Sequence, residues 1–549
     1  MTATPLVFRS ELTPLALLRR SADVFGDKTA IIYGDRRWSY REFAAAAARL
    51  ACALRAVGVR PGDRVAYLMP NLPELLIAHF GVPLAGGVLV AMNTRLSPGE
   101  VGYILDHSGA TVLVADAQLA APLEHAVADL DPPPEIVTLV DPAAPAEPVL
   151  PGISYDELLA GAEGGSQDAT ASASGEPLDW TVADETATIS INYTSGTTGR
   201  PKGVMYHHRG AYLNVLGEII HSRHSAGSVY LWTLPMFHCN GWCTTWAVTG
   251  AGGSHVCLRA VDADEIWRLI DAEGVTHLNG APVVLTMLAS HPKAHRLKRG
   301  LIVTTAGAPP SPTIIEQMEA LGATVIHVYG LTETYGPYSL CEPQESWPDL
   351  PAAQRARLQA RQGVGMVCAD RLRVVDEQMV DVPADGTTIG EIVMRGNNVM
   401  TGYFRDEAAT AEAFRGGWFH SGDLGVMHQD GYVELRDRKK DIVVSGGENI
   451  STVEVEQALL SHSAVLEVAV VGVPDDKWGE RPKAFVVRKP GSDASGDELI
   501  AHLRGRLANY KAPREIEFVD ALPKTSTGKI QKYALREKEW ADRMTRIQG

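Results

Sequence analysis

Residues 64–91 read RVAYLMPNLPELLIAHFGVPLAGGVLVA, and this stretch decides the fold class. Arg64 to Met69 is an almost unbroken apolar run, long enough for a strand and too short for a helix. Asn71-Leu72-Pro73 then opens a helix, because a first helical turn has no use for the N–H that proline lacks. Gly86-Gly87 ends the helix, and Val88 to Ala91 is a second apolar run. A strand without a polar face is buried on both sides. Two such strands joined by a helix predict a parallel sheet covered by helices, the α/β arrangement.

The pattern continues on either side. Thr29 to Tyr33 reads as a strand and Gly34-Asp35 as a tight turn. Ser39 and Glu42 have the spacing of a capping box, in front of an alanine-rich helix that stops near Gly58. Thr188 to Asn192 and Ala323 to Val328 read as further strands. The segment from about Asp141 to Trp180 is rich in Ala, Gly, Ser and Pro and reads as a surface excursion with little core of its own. A charged cluster, Asp437-Arg438-Lys439-Lys440-Asp441, marks a second change, and about 110 residues of alternating strands and helices follow it.

With 549 residues the chain exceeds one ordinary core, at about 100–200 residues per domain. Hydrophobic residues at 45% and charged residues at 21% exclude a disordered chain, a collagen and a coiled coil. A net charge of −16 argues against a generally basic nucleic-acid surface. Six cysteines cannot form a disulfide scaffold, and His238-Cys239-x3-Cys243 lacks a second ligand pair, so buried thiols are expected there rather than a metal. The N-terminus has no signal-peptide stretch, the runs at 75–94 and 224–258 are broken by His, Pro and Gly, and no targeting tripeptide ends the chain. A cytoplasmic protein with no membrane span is expected.

Five segments carry chemistry. The first is Tyr193-Thr194-Ser195-Gly196-Thr197-Thr198-Gly199-Arg200-Pro201-Lys202-Gly203, after a strand. Its backbone N–H groups, hydroxyls and Lys202 can surround phosphate oxygens. It is not a Walker A loop, since Pro201 separates the glycine from the lysine. The second is Tyr329-Gly330-Leu331-Thr332-Glu333-Thr334, a strand end with an aromatic for a base, hydroxyls for phosphate and a carboxylate for Mg²⁺. The third is Gly422-Asp423, where an aspartate on a buried loop could hold vicinal ribose hydroxyls. The fourth joins Arg438 to Ser445-Gly446-Gly447-Glu448-Asn449. The fifth, Pro523-Lys524-Thr525-Ser526-Thr527-Gly528-Lys529-Ile530, presents a lysine on a small-residue loop. Each alone could be an ordinary turn or a solvated loop.

In order and spacing the five together resemble the adenylate-forming superfamily, from about residue 15 to 540. Leu234–Trp242 (LPMFHCNGW), the 329–335 segment, Gly417–Asp423 and Ser445–Ser451 most resemble AMP-forming acyl-CoA synthetases, nearest the medium-chain and aromatic acyl-activating enzymes. The resemblance implies an α/β fold with some β-barrel content. It implies a large N-terminal domain of three subdomains over residues 1–439 and a small, mobile α+β C-terminal domain over 440–549. It implies ATP, Mg²⁺ and CoA as partners of a carboxylic acid, which first becomes an acyl-AMP and then a thioester.

The implied roles fall on particular residues. Thr194, Ser195, Gly196, Thr197, Thr198 and Lys202 hold the pyrophosphate portion. Thr332 contacts phosphates and Glu333 binds Mg²⁺. Gly307-Ala308-Pro309, Tyr329 and Gly330 border adenine, and Asp423 and Arg438 hold ribose. Lys529 is the cation that bridges carboxylate and α-phosphate. His238, Asn240, Trp242 and Gly280 border the acyl pocket. Lys440 is the hinge, Gly446 and Gly447 line the pantetheine tunnel, and Tyr510, Lys511 and Arg514 lie near the CoA nucleotide. Ala306 and Asn279 depart from residues common in the family, and both could reshape the acyl or adenine pocket. The acid stays open among medium-chain, aryl and polycyclic carboxylates. A specialist in one half-reaction, a luciferase-like oxygenase on the same fold, a ligand-binding relic and a homodimer also stay open.

Overall fold

The computed structural model describes residues 8–120, 123–147, 150–161, 178–194, 200–445, 448–475, 477–525 and 528–540. One large sheet grows from the stretch that sets the fold class. Strand Arg64–Leu68 pairs in parallel with Val88–Ala91 on one side and with Ala110–Asp116 on the other. The helix between the first two, Pro73–Leu84, begins on its proline and is buried along its length. Glu135–Leu139 and Ile153–Ser154 continue the sheet beyond Ala110–Asp116, and Thr188–Tyr193 joins beside Val88–Ala91. Gly203–His207 and Gly402–Tyr403 then close that edge as antiparallel strands. Ser39 and Glu42 complete both halves of the capping box over helix Tyr40–Ala56. This helix approaches Pro73–Leu84 closely because Gly81 has no side chain: Leu50 Cδ2 would lie 2.7 Å from a Cβ there.

The second large sheet has a parallel centre of Thr29–Tyr33, Ser254–Val256, Val229–Leu231, His277–Gly280, Leu301–Thr305 and Ala323–Leu331. Antiparallel strands flank it. Strand C-termini at Tyr193, Gly280, Thr305 and Leu331 carry the sequence motifs, as expected for ligand sites of open α/β sheets.

A third sheet, Arg373–Val375, Gly390–Met394, Phe419–Met427 and Val433–Arg438, is antiparallel throughout. The expected β-barrel content is corrected here. The two outer strands do not pair with each other among the described residues, and four strands are too few to enclose a side-chain interior, which takes about eight. A second correction concerns 141–180. Tyr155, Leu158, Leu178 and Trp180 are buried in the main core, and Ser154 caps a short helix, Tyr155–Ala160. Composition averaged over forty residues hides these anchors. Residues 162–177 lie outside the described ones.

The small C-terminal domain has its own core on each face of one sheet. In strand Val465–Asp475, Val468 and Val470 face one core, and Ala469, Val471 and Val473 face the other. This period of two sets the architecture. Helices Thr452–Leu460 and Gly496–Arg504 bury Val455, Leu459, Leu499 and Leu503 on the first face. Helix Lys532–Trp540 buries Leu535 on the second.

Candidate active site

The phosphate-type loop leaves Tyr193 and returns through Lys202. Its stem is closed by Thr194 N donating to Lys202 O at 3.0 Å and by Lys202 N donating to Thr194 Oγ1 at 3.2 Å. Ser195, Gly196, Thr197 and Thr198 lie outside the described residues, as do Gly446 and Gly447. Lys202 Nζ sits 4.8 Å from the centre of the Tyr403 ring.

The 329–334 segment is held by close backbone approach. A Cβ at Gly330 would overlap Gly336 O, so only glycine fits. Tyr206 Oη donates to Thr332 O at 2.6 Å, and Cys239 Sγ lies 3.7 Å from Thr332 Oγ1. Tyr403 Oη donates to Glu333 Oε1 at 2.8 Å. Glu333 Oε2 takes no hydrogen bond from a described residue. No group of three His, Cys, Asp or Glu side chains able to hold a metal occurs among the described residues. One carboxylate and neighbouring hydroxyls suit Mg²⁺, a hard cation usually held by one or two carboxylates plus substrate phosphates. The donor set therefore fits a metal that arrives with a nucleotide.

Asp423 requires a correction: it lies within strand Phe419–Met427 and not on a loop. Gly422, at φ +69°, and a register shift between Leu424 and Gly425 distort the strand there. Such a bulge can re-aim a side chain. Asp423 pairs in register with Arg438, and Arg438 Nε lies 3.0 Å from its Oδ1. Tyr329 Oη donates to its Oδ2 at 2.7 Å. The Asp423 carboxylate holds the Arg438 guanidinium firmly protonated, and burial with the Asp423 charge pushes the Tyr329 phenol up. Gly307, at φ +90°, and Ala308 lie exposed just past the end of strand Leu301–Thr305.

Lys529 comes from the small domain. Thr525 N donates to Lys529 O at 2.7 Å, and Lys529 N donates to Thr525 Oγ1 at 3.1 Å. The turn rests on Gly528 at φ +83°. A Cβ at Gly528 would lie 2.8 Å from Val283 Cγ1, so the turn packs directly on the large domain. The Arg438 charge, then burial, lowers Lys529 to about 7, while Asp423 and Asp441 oppose the shift. Burial, then the Lys529 charge, lowers His238 to about 4, so its imidazole is neutral near pH 7. A pocket of about 70 Å³ is bordered by Thr194, His238, Cys239 and Thr332 of the large domain and by Thr525 of the small one.

The segment at the expected acyl pocket has an unusual backbone. Cys239, Asn240, Gly241, Trp242 and Cys243 have φ of 52°, 53°, 60°, 56° and 60°, a continuous left-handed turn. Asn240 is turned inward, its Nδ2 donating to Ser190 Oγ at 2.9 Å. Trp242 lies against Gly336, where a Cβ would be 2.8 Å from Trp242 Cδ1. Asn279, one of the two departures, is buried, and its Nδ2 donates to Thr244 Oγ1 at 3.2 Å. Gly280 follows it, close to Val284.

The charged cluster at 436–441 is tied to the small domain by contacts that leave no local sequence pattern. Thr452 N and Oγ1 donate to Asp437 Oδ2 at 2.6 and 2.8 Å, and Ser451 Oγ donates to Arg436 O at 2.6 Å. Arg536 pairs with Asp441 at 2.8 Å and reaches Lys440 O at 3.3 Å. Burial, then the Arg438 charge, lowers the Lys440 ammonium. Away from the pocket, Lys511 is paired with Glu454 at 2.7 Å, Arg514 lies 3.6 Å from Asp475, and Tyr510 is exposed. Trp478, also exposed, has Lys477 Nζ 4.4 Å from its ring centre. Tyr403 and Tyr206 were missed too. Each acts through one hydroxyl contact across long sequence separation, which leaves no local pattern.

The chain matches the AMP-binding enzyme family over residues 18–404 and the AMP-binding enzyme C-terminal domain over residues 454–529. It is 43% identical over 533 residues to 4-hydroxybutyrate--CoA ligase 2 of Metallosphaera sedula, covering 96% of this chain and 94% of the relative. It is 43% identical over 549 residues to acetate--CoA ligase CCL3 of Humulus lupulus, with the same coverage. Among solved structures, the anthranilate CoA ligase AuaEII in complex with anthranoyl-AMP is similar at a TM-score of 0.83 and 26% identity, over 97% of this chain and 98% of that one.

Proposed function

We propose, for a chain that belongs to the AMP-binding enzyme family and is an AMP-forming acyl-CoA ligase, that the residues gathered around the 70 Å³ pocket divide two half-reactions between them and that the acid is short and aliphatic. In the first half-reaction a carboxylate oxygen attacks the α-phosphorus of ATP, and the bond to pyrophosphate breaks. Negative charge builds up on the α-phosphoryl oxygens during transit. A cation aimed there stabilises the transition state more than the ground state. Lys529 is that cation. The observation that carries the reading is that the small domain delivers Lys529 into the electrostatic reach of Asp423, Arg438 and His238.

Lys202 and Thr332 bind the polyphosphate, with Ser195, Gly196, Thr197 and Thr198 completing the loop. Asp423, oriented by Tyr329 and Arg438, accepts from the ribose hydroxyls, and Gly307-Ala308-Pro309 and Gly330 border adenine. Glu333 and Thr332 would hold Mg²⁺, which when bound neutralises phosphate charge. Neutral His238 covers the carboxylate end without forming an ion pair with it. In the second half-reaction the CoA thiol attacks the acyl carbonyl and AMP leaves. Residues 440–549 turn about Lys440 between the two, so Lys529 departs and Gly446 and Gly447 line the incoming pantetheine. Tyr510, Trp478, Lys511 and Arg514 form a cationic and aromatic surface suited to the CoA nucleotide, with Lys511 exchanging Glu454 for phosphate.

The short acid is supported by Trp242, whose indole packs over Gly336 on the segment expected to border the acyl pocket. Two relatives named for acetate and 4-hydroxybutyrate support it too. A cytoplasmic address and a homodimer complete the proposal, to be checked by cell fractionation and light scattering. The decisive experiment supplies ATP and acids from acetate to octanoate and benzoate, with and without CoA, and follows pyrophosphate and thioester. Thioester only from acids longer than about six carbons would reject the short-acid reading. Thioester from synthetic acyl-AMP without ATP turnover would reject the first half-reaction.

A further inference from the structure

Two charged groups of the site meet at one side chain, Tyr403. Tyr403 ends the short strand Gly402–Tyr403, and its partner in register is Val204, on the strand that returns from the phosphate loop. The pairing extends both ways: Thr401 N donates to Met205 O at 3.0 Å, and Phe404 N donates to Gly203 O at 2.7 Å. Met400 N donates to the main-chain oxygen of Glu333 at 2.8 Å. Tyr403 N donates to Thr410 Oγ1 at 2.9 Å, which ties the strand to the helix Glu407–Ala413. The backbone that carries the ring is therefore held from three directions.

From that fixed position the hydroxyl donates to Glu333 Oε1 at 2.8 Å, and the ring face lies 4.8 Å from Lys202 Nζ. A carboxylate with one oxygen so occupied cannot swing freely, and it offers its other oxygen in one direction. The lysine is held over the ring face and forms no ion pair with that carboxylate.

We infer that Tyr403 is a positioning residue for the adenylation step, aiming Glu333 Oε2 at the divalent cation and holding Lys202 beside the polyphosphate. The inference rests on the ligase reading above. It explains why a two-residue strand from beyond the third sheet's first two strands returns to the edge of the phosphate loop. There it couples the loop's basic residue to the metal carboxylate.

Tyr403→Phe keeps the ring under Lys202 and the strand pairing but removes the donor, whereas Tyr403→Leu removes both. Four quantities are measured: Mn²⁺ affinity in the presence of ATP, by electron paramagnetic resonance without acid; pyrophosphate release; thioester formation from synthetic acyl-AMP; and thermal unfolding. For Tyr403→Phe, Mn²⁺ affinity should fall about tenfold, with a comparable fall in pyrophosphate release, as for loss of a partner behind a metal ligand. Thioester formation from acyl-AMP should stay within about twofold, since that step breaks no phosphoanhydride bond and draws on neither metal nor Lys202. Tyr403→Leu should add a rise in the KM for ATP. Unchanged Mn²⁺ affinity in Tyr403→Phe, or equal losses in both half-reactions, overturns the inference. Absence of pyrophosphate release from the unaltered protein with every acid would instead overturn the ligase reading itself.

Discussion

Gly528→Ala offers a direct test of whether contact between the two domains serves one half-reaction only. Gly528 sits at φ +83°, and a Cβ there would lie 2.8 Å from Val283 Cγ1 and 3.6 Å from Ala281 Cβ. Two penalties follow, and they separate. The left-handed backbone strains an alanine by about 1–2 kcal/mol wherever the small domain stands, so this part appears as lower thermal stability of the small domain. The clash with Val283 exists only when the small domain is docked with Lys529 in the pocket. Overpacking of this kind costs about 1–3 kcal/mol, equivalent to about 5- to 150-fold in the docked population. Pyrophosphate release should fall by that factor, while thioester formation from synthetic acyl-AMP should change by less than about twofold. Val283→Ala removes both Cγ atoms and should restore most of the lost pyrophosphate release in the double variant without restoring the thermal loss. Equal losses in the two half-reactions, or no recovery in the double variant, would refute the idea that docking at Val283 positions Lys529.

Lys529→Gln should lower pyrophosphate release about 10³-fold and leave thioester formation within about threefold, as expected for one cation beside a charge that develops in transit. Comparable losses in both steps would contradict that role. Docking should also depend on pH. Lys529 has an ordinary value of 10.5 when free and about 7 when docked, so docking releases a proton between these values and becomes more favourable as pH rises from 7 to 10. Energy transfer between dyes on the two domains, without nucleotide, should therefore increase over that interval. ATP, whose phosphates stabilise the ammonium, should flatten the curve, and a flat curve without ATP would contradict the sign. Trp242→Gly should raise kcat/KM for octanoate relative to butyrate by at least about tenfold, and it relieves the strain of a tryptophan at φ +56°. An unchanged ratio would remove Trp242 from the pocket wall.

What the sequence makes legible follows how local the cause is. The capping box at Ser39, the proline-led helix at Pro73 and the strands Thr29–Tyr33 and Val88–Ala91 form where read, because neighbouring residues decide them. Lys529 is legible as a candidate from its small-residue loop, yet its meeting with Arg438 and Asp423 depends on docking of the small domain. Asp423 reads as a loop residue because Gly-Asp usually marks a turn, whereas here the glycine distorts a strand. The third sheet reads as barrel-like only by resemblance, and nothing in short alternating strands tells whether their edges meet. Tyr403 is invisible for a different reason: its partners are 70 and 201 positions away, and each contact is single.

The turn at 239–243 is the extreme case, and it bears on function. Phe-His-Cys-Asn-Gly-Trp-Cys contains one glycine, which predicts at most one left-handed residue, yet five consecutive residues adopt that conformation. At about 1–2 kcal/mol for each of the four that carry a side chain, the turn would not persist alone. Neighbouring contacts impose it. Asn71 clamps its entrance through Trp232 O, Leu234 O and Met236 N, at 2.9, 2.9 and 2.7 Å. Asn240 is bonded to Ser190, Cys239 lies against Thr332, and Trp242 covers Gly336. Strain of this kind persists where the surroundings over-determine a geometry that function needs. Here one turn carries His238 at its start and Trp242 near its end. The group proposed to cover the reacting carboxylate and the group proposed to limit the acyl chain are therefore set at a fixed separation. A right-handed turn of the same length would send those two side chains in different directions, so replacing Gly241 or Asn71 should disturb acid selection and adenylation together.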